Sequence, residues 1–193
     1  MVDTVEQNPA LAEADLTAMV QRAVAGDQDS FGQLYEMYTD RVYRHIYYRV
    51  GNATDAEDLT AQVFLNAWKA IGRYRQMGRP FVVWLLSIAN NQVIDFYRAQ
   101  KDRIYLDDPG VTISDGEDPE EIAEQAYTAQ ELREAIKRLR PDQQRVLVLR
   151  FIDGLDYADI AAIMTKKEGA VRVIQHRALL ALRKLLRTEA GSG

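Results

Sequence analysis

Residues 139–186 read LRPDQQRVLVLRFIDGLDYADIAAIMTKKEGAVRVIQHRALLALRKLL, and their spacing predicts three short helices in succession. Pro141 opens the first, because a proline at the first helical position gives up an N–H that has no intrahelical partner anyway. Val146, Leu147, Leu149, Phe151 and Ile152 follow as its apolar positions, and Gly154 marks its end. Asp156 caps the second helix, with Asp159 in its first turn, where negative charge meets the positive end of the helix dipole. Tyr157, Ile160, Ala161, Ile163 and Met164 form that helix's buried side. After a turn at 165–169 comes the third helix, with Val171, Ile174, Ala178, Leu182 and Leu185 as an inner stripe. Its other side carries Arg172, Gln175, His176, Arg177 and Arg183. Two helices joined by a tight turn, the second exposing long donors, suit a protein that lays a helix in the DNA major groove.

The net charge of −5 argues against nucleic acid until its distribution is considered. Residues 1–100 hold 9 Lys/Arg against 12 Asp/Glu, residues 101–126 hold 2 against 9, and residues 127–193 hold 13 against 8, giving −3, −7 and +5. Within 165–187 the balance is 7 against 1. A concentrated cationic helix neutralises phosphates whatever the total charge of the chain. The same cations, without the preceding turn, would read as an ordinary solvated helix face.

The remaining composition excludes several classes. The chain has no cysteine, so disulfides, thiol catalysis and cysteine-ligated zinc are out. No apolar run approaches the ~20 residues of a membrane span, and the acidic N-terminus MVDTVEQNPALAEAD does not read as a secretory signal. A cytoplasmic protein without membrane insertion is the expectation.

Upstream, the apolar spacing is helical almost throughout, and the expected fold is all-α: two small helical domains joined by a flexible acidic linker. Residues 1–14 read as a disordered N-terminus and 15–103 as the first helical domain. Within it, one helix covers about 15–25 and a second about 29–50, with Phe31, Leu34, Tyr35, Tyr38, Val42, Tyr43 and Ile46. A third, capped by Thr54 or Asp55, holds Leu59, Val63, Phe64, Ala67 and Trp68. A basic loop at 72–80 precedes a long helix from Phe81 to about Arg103 with Trp84, Leu85, Ile88 and Val93. Residues 104–124 mix Pro, Gly and acid with few aliphatics, the composition of a self-repelling tether. Residues 125–187 form the second domain and 188–193 a tail.

Two blocks together resemble the extracytoplasmic-function (ECF) sigma factors of the sigma-70 family, the small two-domain initiation factors of bacterial RNA polymerase. FGQLYEMYTDRVYRHIYYRV (31–50), DAEDLTAQVFLNAW (55–68) and PFVVWLLSIANNQVIDFYR (80–98) look like sigma region two. The 139–186 stretch looks like region four. Either block alone is moderate evidence, whereas the pair in this order across a linker is specific.

The resemblance implies that the chain binds core RNA polymerase, recognises a two-part promoter and helps melt it. The partners implied are the clamp coiled coil and flap of the large polymerase subunits, promoter DNA and an anti-sigma factor. It places Asp55, Glu57, Asp58 and Gln62 against the clamp, where an acidic and amide face suits an arginine-rich helix. It assigns the loop and the helix after it to the minus-ten element, read as an opened single strand. Extruded bases need an enclosing pocket and the backbone needs positive charge. Arg73, Arg75 and Arg79 suit phosphates, and Tyr74 or Met77 suits the wall of a base pocket. Asn90, Asn91 and Asp95 offer donors and acceptors to base edges. Asn91, Asp95 and Arg98 match the family pattern, whereas Asn90 stands where an arginine is usual. Asp95 is equally well placed to pair with Arg98 at i+3, and Trp84 reads as core rather than a wedge between bases.

In the second domain the resemblance assigns the third helix to the minus-thirty-five element as duplex. Arg172, Gln175 and His176 lie near the end that reaches base edges, arginine suiting guanine and glutamine adenine. Lys166, Lys167, Arg177, Arg183 and Lys184 suit phosphates, which fix register. His176 reads equally well as a neutral surface residue. Lys167 stands where a capping serine is usual, and Thr165 replaces a frequent glycine. The linker is expected to thread toward the polymerase interior, its acidity mimicking nucleic acid.

Other readings compete with this one, a pure adaptor among them, though an adaptor would leave the cationic third helix without a purpose. An autonomous helix-turn-helix regulator needs a dimer interface or a sensor domain with strands, and neither is legible. An all-α enzyme would draw on His45, Asp55, Glu57 and Asp58, but His45 has no second histidine nearby. No residue is assigned a catalytic, cofactor-binding or metal-binding part.

Overall fold

The computed structural model describes residues 9–76, 78–104 and 129–190, which are helical with no strand among them. Residues 1–8, Met77, residues 105–128 (the linker from 105 on and the expected start of the second domain at 125–128) and the last three residues lie outside the described residues. Helix α1 (Pro9–Val24) starts at a proline rather than at Asp15 as the spacing predicted, and proline at the first helical position is well placed to do this. Helices α2 (Gln28–Val50), α3 (Ala53–Ala70) and α4 (Phe81–Ile104) pack around one another, and α1 packs against α2. Their shared core holds Leu34, Val42, Ile46, Val63, Leu85 and Val93, all essentially inaccessible to solvent. Edge-on aromatic contacts join α2 to α3, Tyr35 to Phe64 at 4.6 Å and Phe31 to Trp68 at 4.9 Å between ring centres.

The cap of α3 differs from the expected one. Asn52, not Thr54 or Asp55, stands at the cap position, and its side-chain oxygen accepts the Asp55 N–H at 3.0 Å. Asparagine one turn earlier performs the same duty, satisfying one of the N–H groups that a helix start leaves unpaired. Just before it, Gly51 ends α2 at φ 69° with its N–H bonded to the Tyr47 carbonyl. The left-handed backbone there favours glycine, whereas the nearby end of the flexible Lys137 side chain could move aside for a Cβ.

The second unit comprises α5 (Ala129–Lys137), α6 (Pro141–Leu147), a π turn (Val148–Ile152), α7 (Tyr157–Met164) and α8 (Glu168–Ala190). The π turn was not expected. It lets the Asp153 N–H bond to the Val148 carbonyl, and the extra residue per turn rotates Phe151 outward. Phe151, expected in the core, is therefore 58% exposed. Val171 and Ala178 of the predicted α8 stripe are fully buried, with Ile174, Leu182 and Leu185 partly so. Helix α8 runs to Ala190, past the expected boundary at Arg187.

The two units share an apolar boundary in this structure. Val146, Leu149, Ile160 and Ile163 belong to the same continuous apolar cluster as Leu34, Ile46 and Leu86. Helix α2 meets α5 and the π turn, and α4 meets α7.

Candidate polymerase and promoter interfaces

Helix α3 presents Glu57, Asp58 and Gln62 to solvent and holds Asp55 half-buried near its start. These are the four residues that the resemblance assigns to the polymerase. Gln62 donates to Asn66 Oδ1 at 3.0 Å, one turn on. Leu65 and Trp68, two turns from Asp58 and onward, are respectively 46% and 38% exposed. An exposed leucine beside an acidic edge gives this face an apolar centre that the spacing did not reveal, since Leu65 falls outside the α3 core stripe.

The loop after α3 is braced by aromatic contacts. Tyr74 is buried, its ring 5.4 Å from Phe81 and 5.0 Å from Trp84 between centres, and burial raises its phenol above the usual range. Trp84 thus packs as expected of a core residue. Tyr74 is also one wall of a cleft of about 240 Å³ completed by Leu16, Thr17 and Val20 of α1 and by Gly78, Arg79 and Pro80 of the loop. The participation of α1 had no signal in the loop's own sequence. Arg73 and Arg75 are exposed, with Arg75 donating to the Tyr74 carbonyl at 3.0 Å. Met77 lies outside the described residues.

Arg79 and Asn90 are engaged elsewhere. Arg79 Nε lies 3.6 Å from Asp159 Oδ1 on α7. The Asp159 carboxyl is raised by burial and by the neighbouring Asp156, with Arg79 acting in the opposite sense. Asn90 is 0% exposed: its Oδ1 accepts from Arg49 Nη1 at 3.1 Å and from Arg145 Nε at 2.8 Å. Asn91, Asp95 and Arg98 remain exposed one to two turns further on, Arg98 3.4 Å from Asp95 Oδ1.

In the second unit Asp156 caps α7, accepting the Asp159 N–H at 2.8 Å as the sequence predicted. Thr165 closes α7 in the left-handed conformation at φ 55°, the one non-glycine residue among those described with positive φ. Lys167 sits at the residue before α8, where the sequence lacks a capping side chain, and Lys166 reaches Asp142 Oδ2 at 3.2 Å. Arg172 stacks over the Tyr157 ring, its guanidinium carbon 3.8 Å from the centre, while Arg150 lies 4.9 Å from the same ring. Lys167, His176 and Arg177 are exposed; Gln175 and Arg183 are half-buried. The turn and the N-terminal half of α8 therefore form one cationic edge.

His45, the lone histidine of the first unit, is fully buried and bonds through Nδ1 to Asp153 Oδ2 at 2.6 Å. It stands apart from Asp55, Glu57 and Asp58. Among the described residues no three side chains capable of holding a metal converge, and no helix is long and apolar enough to cross a membrane.

These features define a two-part helical DNA-binding protein: an acidic helix face and a basic loop on one unit, and a helix-turn-helix on the other. Comparison with known proteins gives the class its family. The model described as Sigma-70 region 2 matches residues 34–103, and that described as Sigma-70, region 4 matches residues 129–182. The ECF RNA polymerase sigma factor BldN of Streptomyces coelicolor is 41% identical over 180 residues, 92% of this chain and 68% of that protein. SigW of Bacillus subtilis, also an ECF sigma factor, is 32% identical over 178 residues, 87% of this chain and 95% of that one. The fold resembles that of the sigma factor RpoE solved with the anti-sigma factor NepR from Bartonella quintana, with a TM-score of 0.67 at 23% identity over 81% of this chain and 96% of that one. The chain belongs to the ECF RNA polymerase sigma factors of the sigma-70 family.

Proposed function

We propose that this chain binds core RNA polymerase through α3, reads an opened minus-ten strand with the loop and α4, and reads a minus-thirty-five duplex with α8. Recognition of both elements on one promoter then directs melting and the start of transcription. The carrying observation is the pairing of both family blocks, in order, with an exposed Glu57–Asp58–Gln62 face on one unit and a cationic turn and helix on the other. Acid on α3 suits a basic partner helix. Arg73, Arg75 and Arg79 around the Tyr74 cleft suit a strand whose base is extruded. Arg172, Gln175 and His176 occupy the end of α8 that approaches base edges, with Lys166, Lys167, Arg177 and Arg183 on phosphates. The action is that of an initiation factor rather than a catalyst, exerted in the cytoplasm where the polymerase is.

Control by an anti-sigma factor is part of the same reading. The solved sigma factor with the similar fold is bound to one, and a protein that sequesters the α3 face competes directly with polymerase.

Footprinting of a promoter selected from random DNA tests the proposal. Protection of both elements is expected with core polymerase and little with the chain alone. Full protection by the chain alone, unchanged by polymerase, would instead make it an autonomous regulator.

A further inference from the structure

Helix α8 carries an exposed β-branched side chain among its long polar donors. Val173 stands in the second turn and is 50% exposed. At about 3.6 residues per turn it lies about 200° round the helix from Val171, which is fully buried. Val173 therefore occupies the outermost line of α8, opposite the core. Gln175, expected to reach a base edge, sits only about 40° from Val171. It is half-buried, and its carbonyl oxygen Oε1 is enclosed without a hydrogen-bond partner. The outward position of that turn belongs to the valine.

Its surroundings suit close approach to a polyanion. Gly169 and Ala170, one turn back on the same side, are exposed, and a Cβ added at Gly169 would meet nothing within 4 Å. Residues this small hold nothing away from the valine methyls. Lys166, Lys167, Arg172, His176 and Arg177 surround the position, and all five are exposed. A lone valine on a protein surface is ordinary. One ringed by cations is poorly placed for an apolar protein partner, which would have to strip water from those charges. It is well placed for a duplex whose phosphates pair with them. Leu179 and Leu180, also exposed, stand two turns further on, beyond His176 and Arg177.

In the major groove each base edge offers hydrogen-bond donors or acceptors, and thymine alone adds a methyl group, at C5. An apolar side chain gains by burying against that methyl. Against the cytosine amine or the guanine acceptors it would take a polar group out of water without replacing its hydrogen bond. One contact thus favours thymine and penalises its competitors. Branching at Cβ holds a helical valine to essentially one rotamer, so the methyls are already in place before contact. We infer that Val173 is a specificity-determining residue that packs against the C5 methyl of one thymine in the minus-thirty-five duplex, while the cations around it take phosphates and other base edges. The inference rests on the assignment of α8 to that duplex, and it adds which base one position demands and which chemical group is read.

Removing the methyl group from either side of the contact tests this. Holoenzyme carrying the wild-type chain selects a duplex from random DNA. Each thymine of the selected minus-thirty-five element is then replaced in turn by deoxyuridine, which differs only in lacking the C5 methyl. At one position the replacement should weaken wild-type binding about fourfold, the ratio that corresponds to one buried methyl group. Val173→Ala should weaken binding to the thymine duplex by a similar factor and show no further loss with deoxyuridine at that position. Alanine is the stronger helix former at an exposed site, so α8 stays folded in the variant. A selected element without thymine, or wild-type binding indifferent to deoxyuridine at every position, would overturn the inference while leaving the sigma-factor reading intact. So would a Val173→Ala holoenzyme that keeps the full deoxyuridine penalty. If that variant instead loses affinity for core polymerase with the penalty intact, a protein and not DNA covers Val173. If wild-type holoenzyme enriches no duplex at all, the sigma-factor reading falls and this inference falls with it.

Discussion

The Arg172 guanidinium is held over the Tyr157 ring, 3.8 Å from its centre, so a residue of the reading helix is oriented by the helix before it. The turn at 165–167 sets this relationship by placing the start of α8 across α7. Stacking against the ring face restrains the arginine's rotamers and leaves its donors directed outward, lowering the ordering cost of a base contact.

Tyr157→Ala should therefore weaken holoenzyme binding to a selected minus-thirty-five duplex by about 1 kcal/mol, roughly fivefold, whereas Tyr157→Phe keeps the ring and most of the affinity. Competition binding at fixed salt checks this. Equal losses in the two variants would mean that the hydroxyl, not the ring, matters.

Lys167 and Arg172 are expected to differ in kind. Lys167→Ala should lower affinity for all duplex sequences alike and reduce the slope of log K against log salt by about 0.9, the release of one counterion. Arg172→Ala should relax preference at one base position, a loss of about 1–3 kcal/mol in discrimination. A salt titration combined with sequence selection separates the two effects.

Thr165 carries a β-branched side chain at φ 55°. The left-handed region costs such a residue about 1–2 kcal/mol, and glycine avoids that cost while losing about 0.5–1 kcal/mol in chain entropy. Thr165→Gly should raise stability slightly, by up to about 1 kcal/mol. Asn52→Ala should lower it by about 1 kcal/mol through loss of the α3 cap. Thermal and urea unfolding report both, and a destabilised Thr165→Gly would show that the threonine makes compensating contacts.

Arg49 predicts a gain on removal. Its oxygen partner, Asn90, keeps the Arg145 bond when Arg49 is replaced, so Arg49→Met leaves no acceptor stranded. The variant should be more stable by about 1 kcal/mol at pH 7. Because burial depresses the guanidinium to about 9, the cost of its charge is fully present below that pH and fades as pH rises through it. The advantage of methionine should shrink above pH 9. Unfolding midpoints from pH 7 to 10 check the sign, and a destabilised variant at pH 7 would show that the charge holds the two units together.

Much of this architecture was legible because it is local. Helical spacing, Pro141, Asp156 and the glycine stops are statements about neighbours a few residues apart, and the structure places these elements where the spacing put them. The π turn escaped because one extra residue per turn leaves no mark in composition, which is why Phe151 was expected inside. The polar contacts between the units escaped for a different reason. His45 and Asp153 are 108 residues apart, and each alone reads as an isolated polar residue. Asn90 illustrates the limit best: its position on α4 pointed to DNA, while its enclosure depends on Arg145 of the second unit. Contacts between helices distant in sequence leave no periodic trace, so the apolar boundary shared by the two units was not legible either.

Run-off transcription from a pool of random promoters, with purified chain added to core bacterial RNA polymerase, tests the central assignment most directly. Initiation should depend on the chain, enrich templates sharing two separated elements, and be lost in an Asp58→Ala, Gln62→Ala variant. No chain-dependent transcript from any template, with polymerase active alongside another sigma factor, would contradict it.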